Sequence, residues 1–315
     1  MATQTQTQGK IARLQEEEAL ASDSLWQRAA RRIRQDKLTL IAMGVLLLFT
    51  VTTVMSPFIN SQILNVDPLK TEPRARFLGI SGDYCDAEDI CTTHWLGTDD
   101  IGRDHLGRLL LGGRYSLQIG FFSAIATLLI GLTLGMIAGY FGGIIDDFLN
   151  WVITTLDSLP ALYLLIAVSA LLKPSPNSLI LVIAIVGWTG TTRLIRGQTL
   201  ALRDLDYVTA ARALGATPFR IMRSHILPNL ISLLAISLAL GVGGIILAEA
   251  ALSFLNLGVQ QPIPTWGNML TDSQIYFRQS GHLVILPGLL ISITVLCTYI
   301  IGDGVRDAFD PTTVD

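Results

Sequence analysis

Residues 117–140 read Leu-Gln-Ile-Gly-Phe-Phe-Ser-Ala-Ile-Ala-Thr-Leu-Leu-Ile-Gly-Leu-Thr-Leu-Gly-Met-Ile-Ala-Gly-Tyr, without one Asp, Glu, Lys, Arg or His. A helix needs about 20 apolar residues to cross ~30 Å of hydrocarbon, and this run supplies them. Working outward, similar runs occupy residues 38–55 on the amino side and 151–172, 179–192, 230–247 and 283–301 on the carboxyl side. The run at 179–192 is short and ends in Trp188, Thr189, Thr191 and Thr192, so it also fits a buried or broken span. The expected fold class is all-α, a polytopic membrane bundle of about six transmembrane helices.

Composition points the same way. Half of the 315 residues are apolar and 15% are charged, against about 25% charged in soluble domains. The mean hydropathy is +0.52. With a net charge of −3 and its basic residues scattered, the chain has no patch to replace phosphate counterions, so no nucleic-acid partner is expected. Residues 1–37 are polar and charged. The first apolar run therefore starts too late, with the wrong flanks, for a cleaved signal peptide, and the first span is expected to persist. Residues 1–9, alternating Thr and Gln, read as a disordered tail. Residues 26–37 read as a basic amphipathic helix, either a topology anchor on anionic membrane lipid or a docking element for a partner.

Cytoplasmic flanks of membrane spans hold the excess of Lys and Arg. With both termini cytoplasmic, Lys10, Arg13, Arg28, Arg31, Arg32, Arg34 and Lys37 precede the first span. Arg193, Arg196, Arg203, Arg212, Arg220 and Arg223 follow the fourth, and Arg306 follows the sixth. Fourteen of the 22 basic residues then lie inside. The expected order is a cytoplasmic segment over 1–37, a span over 38–55 and an extracytoplasmic loop over 56–116. The remaining spans and connections fill 117–311, followed by a tail over 312–315. The outer loop holds Cys85 and Cys91, which either pair in an oxidising compartment or remain free thiols.

Residues 193–229 are too long for a simple turn between spans. Asp204 and Asp206 open a stretch of good helix formers that stops at Gly215, and Thr217-Pro218 starts a second helix. The pair either projects into the cytosol or lies on the inner leaflet as an amphipathic hairpin. Asp157, next to Pro160, and Glu249 are ionisable residues close to hydrocarbon. Such residues line a path or gate, or sit at helix interfaces. Gly139, Gly142 and Gly143 serve close backbone approach or a helix stop. The cluster Asp99, Asp100, Arg103 and Asp104 reads as an interfacial cap or as a solvated loop end. The sequence contains no Gly-x-x-x-x-Gly-Lys-[Ser/Thr] phosphate loop and no Gly-x-Ser-x-Gly nucleophile, and its four His residues lack metal-ligand spacing. An enzyme with catalytic residues, cofactor or metal of its own is not expected.

Residues 207–229, Tyr-Val-Thr-Ala-Ala-Arg-Ala-Leu-Gly-Ala-Thr-Pro-Phe-Arg-Ile-Met-Arg-Ser-His-Ile-Leu-Pro-Asn, resemble the EAA loop of ATP-binding-cassette importer permeases. Ala210, Ala211, Gly215, Leu227 and Pro228 match. Thr209 stands where the family usually has Glu, and His225 where many members have Ile. Residues 94–117, 139–143, 249–255, 264–270 and 302–311 are similar to segments of the dipeptide and oligopeptide permeases, specifically the second, C-type permease of the pair. The resemblance runs from Leu25 to Pro311. It implies that Tyr207, Thr209, Ala210, Ala211, Gly215, Phe219, Arg220 and Pro228 belong to a coupling helix and its flanks, seated in a cleft of an ATPase subunit. It also implies a homologous second permease subunit, two ATPase subunits that bind ATP and Mg, an extracytoplasmic solute-binding protein, a peptide substrate and residence in the inner (plasma) membrane. Relatives carrying nickel chelates, glutathione or opines, and a self-contained secondary transporter, are the alternatives.

Overall fold

A computed structural model describes residues 25–85, 91–171, 175–271 and 275–309; the expected tails over 1–9 and 312–315 lie outside them. The basic segment forms helix α1 (Leu25–Gln35). Asp36 separates it from α2 (Lys37–Val54), which it caps by accepting from the Leu38 amide at 3.0 Å and from the Thr39 hydroxyl. Past α2 the chain turns through short helical pieces at Ser56–Phe58 and Ile59–Ile63. A two-stranded antiparallel hairpin follows, β1 (Gly82–Cys85) with β2 (Cys91–His94), whose register pairs Cys85 with Cys91. Cys85 is disulfide-bonded.

Helix α3 (His105–Phe141) is capped by Asp104, which accepts from the Gly107 amide, and it ends at Gly142, where φ is +66°. The next two helices, α4 (Gly143–Asp157) and α5 (Ala161–Ser169), meet at an angle of 87°. The run expected at 151–172 is therefore a bent pair. Pro160 disfavours helical backbone at Leu159 and has no amide to continue the ladder. The neighbouring run, read as short and open to a break, is instead the unbroken α6 (Pro176–Arg203), started by a capping box between Ser175 and Ser178. There follow α7 (Asp206–Ala213), a helical turn at Pro218–Ile221, a wider π turn at Met222–Ile226, α8 (Leu227–Phe254), α9 (Trp266–Thr271) and α10 (His282–Phe309). Among the described residues, five helical segments are long and apolar enough to cross a membrane, and the bent pair makes six if it counts as one span.

Helix α3 is the centre of the bundle. Toward α6 it presents Gly131, Gly135 and Gly139, one every four residues. A Cβ on each would come within 2.6 to 2.8 Å of Thr191, Ile195 and Thr199. Only glycine permits this approach, the small-residue packing by which membrane helices associate. Within the 139–143 segment, Gly139 thus serves close approach and Gly142 the helix stop. Farther along, Leu109 and Ala124 of α3 pack with Val242 and Ile246 of α8 and with Trp266.

Chain direction sorts the connections onto two ends. At the hairpin end, residues 56–104 meet residues 255–281: Phe77 and Tyr276 stack with centroids 4.9 Å apart, and Arg103 Nη1 donates to Gln261 at 2.8 Å. The charged cluster there is interior rather than solvated. Asp99, Arg103, Asp104 and Arg108 are all buried, with Arg103 Nε 2.7 Å from Asp99 and His94 Nδ1 2.8 Å from Asp104. At the opposite, loop end, α7 and the turns after it gather with the ends of α3, α6 and α10. Arg203 Nη1 donates to the Gly139 carbonyl at 2.9 Å, and Arg32 of α1 reaches the Asp307 carbonyl at 3.5 Å.

Candidate functional site

The segment between α6 and α8 is built as a knob on the loop end. Asp206 supplies negative charge in the first turn of α7, and Arg212 supplies positive charge in the last, both favourable to the helix dipole. The helix closes by a Schellman motif: the Gly215 amide donates to Arg212 O and the Ala216 amide to Ala211 O, with Gly215 at φ +86°. Thr217 then caps the following turn by accepting from the Arg220 amide, and Pro218 occupies its first position. The π turn hands the chain to α8, which Leu227 and Pro228 open.

One side of this knob is anchored. Val208, Ile221, Ile226 and Leu230 are essentially inaccessible and pack with Ile195 of α6. Arg212 lies over the Tyr140 ring at 5.7 Å, and Tyr207 receives a hydrogen bond from Asn229 Nδ2 at 3.3 Å. The other side is open. Thr209 and Ala210 are exposed, Ala211 is half-buried, Leu214 is 89% exposed and Phe219 is 69% exposed, with Arg220 and Arg223 beside them. Exposed apolar side chains beside arginines, on a backbone held rigid from beneath, form a surface suited to protein docking.

The eight residues expected at this site, Tyr207, Thr209, Ala210, Ala211, Gly215, Phe219, Arg220 and Pro228, are thus together. The two candidate path residues are not with them. Asp157 ends α4 and pairs with Arg193 of α6, Nη2 to Oδ2, at 2.6 Å. Glu249 lies 22 residues into α8, about 33 Å toward the hairpin end. It is 1% exposed, and its Oε1 accepts from Ser253 and Thr265, each at 2.8 Å. Glu249 is thus enclosed within this chain. It ties the segment before α9 to α8, and Gly267 packs against its carboxylate. The residues that anchor the knob, Val208, Ile221, Ile226 and Leu230, were not singled out from sequence. The signal available was Val208, the one aliphatic side chain larger than Ala on α7, next to Tyr207.

Comparisons with known proteins agree with this architecture. Residues 131–315 match the family described as binding-protein-dependent transport system inner membrane component, and residues 24–74 match the N-terminal TM domain of oligopeptide transport permease C. The chain is 37% identical over 295 residues to the dipeptide transport system permease protein DppC of Alkalihalophilus pseudofirmus, covering 94% of this chain and 92% of the relative. It is 33% identical to the oligopeptide transport system permease protein OppC of Haemophilus influenzae, covering 94% and 91%. It is 39% identical over 224 residues to the glutathione transport system permease protein GsiD of Pectobacterium atrosepticum, covering 71% and 74%. In fold it is similar to a chain of the inward-facing MetNI methionine ABC transporter, with a TM-score of 0.51, 20% identity, and coverage of 64% of this chain and 97% of that one. The multi-pass bundle, the anchored loop and these matches together place the chain in the binding-protein-dependent transport system inner membrane component family, as a multi-pass inner-membrane permease of the ABC importer type.

Proposed function

We propose that this chain is one of the two pore-forming subunits of an ATP-driven importer of di- and oligopeptides. The observation that carries the reading is the α7 knob, docked from beneath and open above, in a chain whose relatives over nearly its whole length are named dipeptide and oligopeptide permeases. The chain's own work is mechanical. Closure of a cytoplasmic ATPase pair pushes on Tyr207, Thr209, Ala210, Ala211, Gly215, Phe219 and Arg220. The anchor of Val208 on Ile195 and Leu230 passes that displacement to α6 and α8, and Pro228 opens the helix that receives it. The spans then tilt and alternate the access of a path shared with a second, homologous permease subunit. ATP and Mg reside in the two ATPase subunits, and an extracytoplasmic binding protein delivers peptide to the hairpin end.

In this reading the loop end, both termini and most basic residues face the cytosol, while β1, β2 and a Cys85–Cys91 bridge face outward. The likeness to a permease named for glutathione, itself a small peptide, supports a substrate range that includes modified peptides. The test is reconstitution in proteoliposomes with the partner permease, ATPases and binding protein. Labelled dipeptide should accumulate only with ATP, and the purified chain alone should hydrolyse none. Hydrolysis by the lone chain, or uptake without the ATPases, would overturn the division of labour.

A further inference from the structure

Between the start of α8 and the ends of α6 and α10, a cleft of about 260 Å³ opens at the loop end. Its walls carry Gln198 from α6, Asn229 and Ser232 from α8, and Arg306 from α10, and its floor includes Leu230 and Leu233. Three amide or hydroxyl groups and one guanidinium line this open cleft, with Gln198, Asn229 and Arg306 exposed, and such a set of donors and acceptors suits a polar small molecule. Arg306 has no carboxylate partner among the described residues, although Asp303 and Asp307 stand on the same helix. Neither Gln198 nor Ser232 has a side-chain partner there either. Asn229 spends its amide N–H groups on the His225 carbonyl, at 2.7 Å, and on Tyr207, at 3.3 Å, which leaves its Oδ1 to accept.

We infer that this cleft is the inner-mouth binding site of the transport path, and that it takes a carboxylate-bearing peptide with Arg306 holding the terminal carboxylate. Gln198, Asn229 and Ser232 supply donors and acceptors for the backbone amides of a short peptide. A guanidinium suits this task because its planar fork matches the two carboxylate oxygens. The inference rests on the importer reading above and replaces Asp157 and Glu249 as the residues that meet the cargo. It also assigns a route of communication. Asn229 is hydrogen-bonded to Tyr207 of α7, and Leu230 belongs at once to the cleft floor and to the cluster that seats Val208. A ligand that moves either residue moves the knob, and by linkage the knob's position sets the ligand's affinity.

The test uses the assembled complex in nanodiscs without binding protein, with Ser232→Cys carrying an environment-sensitive dye, or Gln198→Cys where the first label disturbs assembly. Trialanine should shift the dye and change the ATP hydrolysis rate, while trialanine amide should bind about tenfold more weakly, the loss expected for one hydrogen-bonded charge. Arg306→Gln should weaken trialanine binding by about the same factor, leave the amide unaffected, and recover in part as Arg306→Lys. Tyr207→Phe should keep trialanine affinity within about twofold yet reduce its effect on hydrolysis. Equal binding of trialanine and its amide, or no effect of Arg306→Gln, would overturn the site. A dye response to phosphatidylglycerol content but not to peptide would make the cleft a lipid headgroup site and equally overturn it. Peptide uptake in the reconstituted importer separates the two levels: uptake without cleft binding sinks only this inference, whereas absent uptake sinks the function from which it starts.

Discussion

Gly215 is the residue on which the knob turns. At φ +86° a side chain pays the left-handed penalty of about 1–2 kcal/mol, yet a Cβ built there meets nothing within 4 Å of this chain. Backbone strain and an outside clash are therefore separable. Gly215→Ala should cost only the strain and keep most transport. Gly215→Arg should leave the chain inserted and folded but lose co-purification of the ATPase and peptide uptake. Normal uptake by a folded Gly215→Arg chain would return the loop to an inner-leaflet hairpin. Thr209 is exposed with its neighbours Ala210 and Arg212, so Thr209→Glu should be tolerated. Asp36 gives a pH prediction. The Thr39 hydroxyl, foremost, and the Leu38 and Thr39 amides hold its carboxyl below the usual carboxylate range. A depressed pKa means the cap is complete above about pH 4 and fades as pH falls through the lowered value. Hydrogen exchange at the Leu38 amide should accelerate below that range, and Asp36→Asn should remove the dependence. Gly215 and Pro218 were legible as stop and start signals because they act on local backbone. Val208 was not, because its importance lies in contacts with Ile195 and Leu230, distant in sequence.

Helices α4 and α5 show where element-level reading succeeds and where it stops. Apolar run length read the second half of α4 together with α5 as one span, but the 87° bend depends on Pro160 and on what holds α4 in place. Two ion pairs hold it. Arg196 grips Asp146 with two nitrogens, Nη2 to Oδ2 at 2.6 Å, and Arg193 pairs with Asp157. The first pair is largely enclosed and the second is more exposed, so the first matters more. Asp146→Ala or Arg196→Ala should each destabilise the chain by about 2 kcal/mol, between the values for exposed and buried pairs. The exchanged pair, Asp146→Arg with Arg196→Asp, should recover most of the loss. Thermal unfolding in lipid nanodiscs measures this, and unchanged midpoints in both single variants would show that the pair does not hold α4. No periodicity reveals these pairs, because their partners are 50 and 36 residues apart.

The whole molecule is polarised between a hairpin end and a loop end. If the loop end is cytosolic, as proposed, the disulfide-bonded Cys85 is extracytoplasmic, while Cys297 is buried in α10. A membrane-impermeant thiol reagent should therefore label intact cells only after reduction, and Cys85→Ser should diminish the signal. Labelling that requires opened cells would invert the topology. The membrane setting, the location of the long apolar spans and the existence of a helical loop with a glycine stop were determined by the sequence alone. Each depends on local composition: a run long enough to cross hydrocarbon, or a residue whose backbone preference acts on its own turn. Only the tertiary structure decided that α3 is central through Gly131, Gly135 and Gly139, and that Glu249 is enclosed. It alone also set Arg306, Asn229 and Gln198 around one cleft. Those facts depend on which faces of helices far apart in sequence meet. In a membrane every helix is apolar on all sides, so the hydrophobic pattern that would identify the meeting faces in water is missing.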